Sequence, residues 1–316
     1  MKIGVFDTDN YQGNYLFPSL PLMKLSEYHK RRGDDVNFVT DGHYDKIYQS
    51  KVFTFTPDYD LSAYADEVIR GGTGYAIRKI NGKEKYQCNE DNVLPLQIEH
   101  IYPDYSLYNI NDTAYGFITR GCSRNCEFCH VYSKEGKTHK VAELGEFWNG
   151  QRNIVLMDPN ILMYRNADIE LEKLAETQAY IDFNQGIDAR LLTPEICKLI
   201  GNCKIKQVHF AMDHYNGCTE IADKINLFKT ITGFSRSKIT VYILVNFDST
   251  ISEDIERINL CRKIGVTPYV MRYDKTELKR GSIYNALARW VNNKKIFWNC
   301  EDFNVYLDGY NRGLWR

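Results

Sequence analysis

The sequence predicts an α/β protein in three parts: a small α/β unit with a connecting segment (residues 1–112), a partial six-unit parallel β/α barrel (113–280) and an aromatic-rich cover (281–316). Two observations carry this. From residue 114 onward, short apolar runs alternate with helical patterns, a rhythm that implies a parallel sheet with right-handed crossovers. The composition, 316 residues with 43% hydrophobic and 13% aromatic side chains, supplies one large core or a large core and a smaller one.

The first elements follow from short-range pattern. Residues 2–7 form a brief apolar run closed by Asp7, which reads as a strand and not as an export signal. Residues 20–32 place Leu22, Leu25 and Tyr28 at helical spacing, with Gly33 as the stop. Residues 36–39 and 51–55 are short β-branched or aromatic runs, and 66–70 lead into the glycine turn 71–74. Residues 76–112, with Pro95, Pro103 and scattered tyrosines, read as an ordered connecting segment. There is no internal repeat and no low-complexity linker.

Barrel strands are predicted at 114–119, 153–157, 180–184, 207–212, 239–246 and 267–272. Helices fall between them at 169–178, 194–199, 218–231 and 252–264, the last opening on a capping signal and ending at Gly265. The tail carries a helix at 284–291 followed by Trp298, Cys300, Tyr306, Tyr310 and Trp315. That aromatic density reads as a cover over the barrel, with a base-stacking platform as the alternative.

The net charge of -1 gives no general grip on nucleic acid, although it leaves local patches open. The basic runs at 29–32 and 134–140 read as solvated surface. No apolar segment is long enough to span a bilayer. Nine cysteines, an odd number with one close cluster, suit a reducing cytoplasm and not a secreted disulfide framework.

That cluster is the most informative feature. Cys122, Cys126 and Cys129 are separated by three and then two residues, so one loop brings three thiols to one metal centre. A fourth cysteine at short range is missing, and an open coordination position is how a metal centre leaves room for chemistry. The alternative is a zinc site completed by a histidine. His130 directly follows a ligand, which makes shared tetrahedral ligation awkward, whereas His139 is far enough along to loop back. Cys197, Cys203, Cys218, Cys261 and Cys300 have no compact motif and read as structural thiols.

The spacing Cys122-x3-Cys126-x2-Cys129, with aromatic Phe128 before the last cysteine, resembles the signature of the radical S-adenosylmethionine (SAM) superfamily. Its place at the first strand–helix turn of a six-unit β/α array resembles that superfamily's partial TIM-like barrel. The lead-in from Thr119 to Cys122 is similar to the branch whose barrel follows a Rossmann-like, cobalamin-binding-type domain. The resemblance implies a [4Fe–4S] cluster on the three cysteines. Its open iron would bind SAM, and one electron would release a 5′-deoxyadenosyl radical. A small electron donor such as flavodoxin or ferredoxin, and an unidentified substrate, are implied with it.

The same resemblance nominates later positions. Phe128 borders the cluster. Asp158 or the carbonyls near Pro159, and Asn160, stand where the family meets the cofactor's amino group, although this chain lacks the commoner glycine–glycine–glutamate there. Gln185 and Asp188 are expected at the ribose, Arg190 at a carboxylate and Asn246 at the adenine or ribose. Asp213, Arg272 and Tyr273 are candidates for substrate contact, and Asp274 follows them at the end of the sixth strand. The Asp-x-His-x-x-Gly loop of cobalamin domains has no counterpart. The stretch from Asp7 to Gly13 has the acid without the histidine, so cobalamin is not expected. Methylthiotransferases hold a second cluster on N-terminal cysteines, and Cys88 alone precedes the motif. The alternatives to a radical SAM enzyme without cobalamin are a cobalamin-assisted radical methylase and a non-catalytic zinc or iron–sulfur protein.

Overall fold

An unbroken apolar run makes a strand that other strands and helices cover on both faces. In the computed structural model, which describes residues 1–10, 17–80, 83–273, 278–279 and 281–312, β1 (Lys2–Asp7) is such a strand, buried from Ile3 to Asp7. It pairs in parallel with β2 (Asp35–Phe38) and β3 (Tyr44–Ser50), and β4 (Ala65–Gly71) extends the sheet in the order β2-β1-β3-β4. Helix α1 (Leu20–Arg31) lays Leu22 and Leu25 on Ile3, Val5 and Val36.

The strand expected at 51–55 lies earlier, at Tyr44–Ser50. The reason is a carboxylate distant in sequence. Asp9 accepts hydrogen bonds from the amides of Val52 (2.5 Å) and Phe53 (3.4 Å), which takes them out of any ladder. The segment after the glycine turn is more structured than its sequence suggests. It holds α2 (Thr73–Ala76), the antiparallel pair β5 (Ile77–Ile80) and β6 (Lys83–Tyr86), and α3 (Leu96–Glu99).

The strand expected at 114–119 is broken in two, β7 (Thr113–Gly116) and β8 (Thr119–Arg120). Asp158 causes the break, because its carboxylate accepts from the amides of Ile118 (3.1 Å) and Thr119 (2.5 Å). After β8 come α4 (Val131–Glu135), β9 (His139–Lys140) and β10 (Asn153–Leu156). β10 pairs in parallel with β7. Gly116 is required there, since a Cβ would stand 2.2 Å from the Phe147 ring.

The chain divides into two units, Met1–Pro159 and Asn160–Arg316. The division at 112/113 read from the sequence falls inside the first of them. The second unit alternates α5 (Ala167–Glu176), β11 (Tyr180–Ile187), α6 (Pro194–Asn202), β12 (Lys204–Ala211), α7 (Cys218–Thr232), β13 (Ile239–Val245), α8 (Ile251–Ile264) and β14 (Thr267–Arg272). Its strands run parallel in chain order. β11 outlasts its predicted end at 184. Phe183 pairs with Val208 and Ile187 with Phe210, so residues 184–186 form a bulge, with Gly186 at φ 109°.

The two faces of this sheet differ. Val208, Phe210, Val241, Ile243 and Val270 are buried on one. On the other, the register aligns Asp182 with Gln207, His209 with Thr240 and Tyr242 with Tyr269. His209 stacks on Tyr242 with ring centroids 5.0 Å apart, and its Nδ1 lies 2.9 Å from the carbonyl of Phe183. The tail is helical, with α9 (Ile283–Asn292), α10 (Lys294–Asn299) and α11 (Phe303–Asn311). Trp290 is fully buried against Phe297 and Phe303, and the Asn292 side chain bonds both main-chain groups of Val270 on β14. A covered edge strand cannot recruit another chain. Asp274 and Trp315 lie outside the described residues, as do Tyr11 to Gly13 of the acidic N-terminal stretch. In fold class, the molecule is α/β with parallel sheets. Among the described residues no helix is long and apolar enough to cross a membrane.

Candidate metal centre

Cys122, Cys126 and Cys129 occupy one loop, residues 121–138, closed at its base by the two-residue ladder of β8 and β9. Thr119 pairs with Lys140 and Arg120 with His139. Gly121 begins the loop at φ 83°, where a Cβ would meet the Lys137 carbonyl oxygen at 2.5 Å, so glycine alone fits. Its amide donates to the Glu135 carboxylate (2.9 Å), its carbonyl accepts from the Thr138 hydroxyl (3.1 Å), and the Cys122 amide donates to the Gly136 carbonyl (3.0 Å). Inside the loop Asn125 turns at φ 48°, which asparagine tolerates, and the Cys129 amide donates to the Cys126 carbonyl (3.1 Å).

All three cysteines are partly exposed. Burial pushes the Cys129 thiol up to about 11, and the neighbouring Cys126, Cys122 and Glu84 push the same way. The thiols therefore lie within electrostatic range of one another. A site that resists charging one thiol at a time takes a cationic metal centre, which displaces the protons together. Among the described residues no three His, Cys, Asp or Glu side chains are close enough to share a single ion. A [4Fe–4S] cube asks for something wider, because each thiolate binds a different iron. Each histidine of the zinc alternative uses its Nδ1 within the protein, which orients the ring and leaves Nε2 for a metal. His130 Nδ1 is 2.9 Å from Glu84, and His139 Nδ1 is 2.9 Å from the Lys137 carbonyl. Three soft thiolates suit a [4Fe–4S] cube with one open iron, whereas tetrahedral zinc would need one of these histidines as its fourth ligand.

Phe128 is half-buried beside Cys129. Asp158 is buried, and besides the two amides it accepts from the Thr119 hydroxyl at 2.7 Å. Both its oxygens thus face the chain three to four residues before Cys122, which makes Asp158 a brace beneath the loop. Burial raises its pKa to about 6, against the pull of those hydrogen bonds. A raised carboxylate keeps more protons in the folded state between its unfolded and folded pKa values, so its contribution to stability falls as pH rises from about 4 to about 6. The stability of wild type relative to Asp158→Asn is therefore expected to drop by up to about 3 kcal/mol over that interval. Urea titrations at several pH values check this, and a difference that is flat or grows with pH contradicts it.

Asn160 is 4% exposed, and its side-chain Oδ1 has no hydrogen-bond partner among the described residues. A buried, unpaired acceptor is costly unless a ligand supplies a donor.

In the second unit, the remaining candidates gather beyond the C-terminal ends of β11 to β14. Gln185 is exposed in the β11 bulge. Asp188 accepts from the Arg190 amide (3.1 Å), Nε (2.7 Å) and Nη2 (3.1 Å), so these two form a bidentate pair. Burial raises the Asp213 carboxyl to about 6, opposed by His214, Arg257 and Arg190. His214 pairs with Asp248 at 2.6 Å. Asn246, at φ 64°, donates to the Tyr273 carbonyl (3.3 Å), and Tyr273 packs edge-on against Phe247 at 4.9 Å. Arg272 bonds the Asn285 side chain of α9.

Sequence reasoning missed the group that joins two of these strand ends. Arg257 of α8 is fully buried, and donates to the carbonyls of Met212 (2.7 Å), Asp213 (2.6 Å) and Leu244 (2.8 Å), to the Ser249 hydroxyl (2.8 Å) and to Asp254. An arginine in a helical pattern gives no sign of burial. The polar sheet face was detectable, since Asp182 and Asn184, and Gln207 and His209, recur at period two in strands otherwise apolar.

No protein-family model matches the chain. A stretch of 89 residues is 33% identical to a CDK5RAP1-like protein of Oryza sativa subsp. japonica. The match covers 25% of this chain and only 15% of that protein's length.

Proposed function

We propose that this chain is a radical SAM enzyme whose β/α succession forms a partial barrel. The observation that carries the reading is the pinned loop, closed by β8 and β9, on which Cys122 and Cys126 lie near enough to shift the Cys129 thiol. The partial similarity to a CDK5RAP1-like protein, a member of the radical SAM family, supports it.

The roles of the chain's own residues follow from their chemistry. Cys122, Cys126 and Cys129 hold the cluster as thiolates. Asp158 keeps the strand leading into the loop in place. The Oδ1 of Asn160 accepts from the ammonium of SAM, which would satisfy its unpaired acceptor. Arg190, held by Asp188, offers a cation to the cofactor's carboxylate, and Gln185 and Asn246 take ribose or adenine. Asp213, Arg272 and Tyr273 face an unidentified substrate, and a small reduced redox protein delivers the electron. When bound, the cluster supplies the electron that cleaves SAM to methionine and a 5′-deoxyadenosyl radical.

The test is anaerobic reconstitution with iron and sulfide, then a reductant and SAM. The expected result is 5′-deoxyadenosine and methionine in equal amounts. Protein that takes up iron and sulfide yet neither binds nor cleaves SAM would sink the enzyme reading and leave an iron–sulfur binding protein.

A further inference from the structure

In parallel α/β sheets, ligands bind beyond the carboxyl ends of the strands, so the turn at residues 71–74 after β4 is where a cofactor would reach the N-terminal sheet. That turn is packed from within. A Cβ on Gly72, at φ 109°, would stand 2.4 Å from the Lys51 carbonyl oxygen, and the Gly74 amide donates to the same oxygen at 2.9 Å. The Gly72 amide donates to Asp91 Oδ1 (2.7 Å). The Thr73 hydroxyl accepts from Lys134 Nζ at 2.7 Å.

Lys134 belongs to α4, the helix that starts directly after Cys129 and His130. Its ammonium stands 5.7 Å over the Tyr86 ring, and the Tyr86 hydroxyl donates to Asp91 Oδ2 at 2.9 Å. Lys134, Tyr86, Asp91, Gly72 and Thr73 thus close a circuit between the glycine turn and the cysteine loop. The loop's other polar groups dock on the same side. Glu127 pairs with Lys83, His130 with Glu84, and the Ser133 hydroxyl accepts from the Tyr86 amide (3.2 Å). Burial lowers the Lys134 pKa, consistent with an ammonium drawn away from water into this circuit.

We propose that the glycine turn is the seat of the cluster loop, with Lys134 as its positioning residue. The N-terminal sheet then serves the metal centre by holding the loop that carries the three thiols in register. The inference rests on the iron–sulfur reading of the loop, and its test separates the two.

In full-length apo-protein, mass spectrometry follows alkylation of Cys129. We expect Lys134→Met and Thr73→Val to alkylate about tenfold faster than wild type, since freeing a docked loop raises its open population. Thr73→Ser, which keeps the hydroxyl, behaves as wild type. After reconstitution, the same two variants lose iron to a chelator about tenfold faster than wild type and show altered electron paramagnetic resonance of the reduced cluster. Wild-type alkylation and chelation rates in both Lys134→Met and Thr73→Val overturn the proposal. If Lys134→Met fails to fold by circular dichroism, the near-isosteric Thr73→Val decides. If wild type takes up no iron, the cluster reading falls, and the alkylation arm still decides whether Lys134 seats the loop.

Discussion

Alanine at any one of Cys122, Cys126 or Cys129 is expected to abolish iron loading and 5′-deoxyadenosine formation, whereas alanine at any of the other six cysteines leaves iron and sulfide per chain unchanged. The contrast follows from setting. The three share one loop pinned by Gly121, Glu135 and Thr138, and Cys122 and Cys126 both act on the Cys129 thiol. The remainder are dispersed. Cys203 and Cys261 are buried in the core, on different elements and without a neighbouring ligand set among the described residues. Cys203 donates to the Leu171 carbonyl at 3.6 Å and Cys300 to the Asp302 carbonyl at 3.4 Å, as structural thiols do. Cys88 is exposed and bonds its neighbour Asn89. Three ligands on three irons leave no redundancy, so a two-cysteine variant should lose the cube and not merely weaken it. Iron and sulfide analysis with paramagnetic resonance reads the result. A fully loaded single variant of the trio, or loss of the cluster with Cys88→Ala, removes the assignment.

What the sequence made legible was periodicity and spacing. Strands such as β12 and β13 are local patterns that survive folding with small shifts of boundary, whereas the capping signal read at Ser252 lies inside α8, whose cap is Thr250 in a box with Glu253. The errors arise where a side chain distant in sequence takes a backbone amide. Asp9 ends the ladder at Val52, and Asp158 splits the strand at Ile118, over 39 to 44 residues of intervening chain. Nothing near Val52 or Ile118 announces either carboxylate. The site was legible as far as chemistry lies in one loop. The three cysteines sit within eight residues of each other. Their support does not, since Lys83, Glu84, Tyr86 and Thr73 belong to a stretch that pattern reading took for connection and a glycine turn. The Asp188–Arg190 pair shows the opposite limit. Proximity in sequence predicted two ligand-binding groups, and the structure has each satisfying the other, so a cofactor would have to compete for Arg190 or use what the pair leaves over.

Replacing Arg257 by leucine is expected to cost about 3–5 kcal/mol, because removing one partner of a buried ion pair strands the other charge. Arg257 and Asp254 both have side chains with no solvent exposure, so Asp254 would be left charged in an apolar interior. The carbonyls of Met212, Asp213 and Leu244 would lose this donor together, those of Met212 and Leu244 in buried surroundings. These carbonyls end β12 and β13, which makes Arg257 the tie between two neighbouring strand ends. Lysine should not rescue it, since a single ammonium cannot reach acceptors spread around a planar fork. The double variant Arg257→Leu with Asp254→Asn should be less destabilised than Arg257→Leu alone, because it removes the stranded charge. Urea unfolding of the four proteins, including wild type, measures this. An Arg257→Leu loss below about 1 kcal/mol, the range of ordinary surface substitutions and exposed ion pairs, would mean that the pair is not the keystone of these strand ends. If the loss is as large as expected, 5′-deoxyadenosine formation should fall in variants that still fold, since the Asp213 carbonyl and the loop after β13 both hang on this guanidinium.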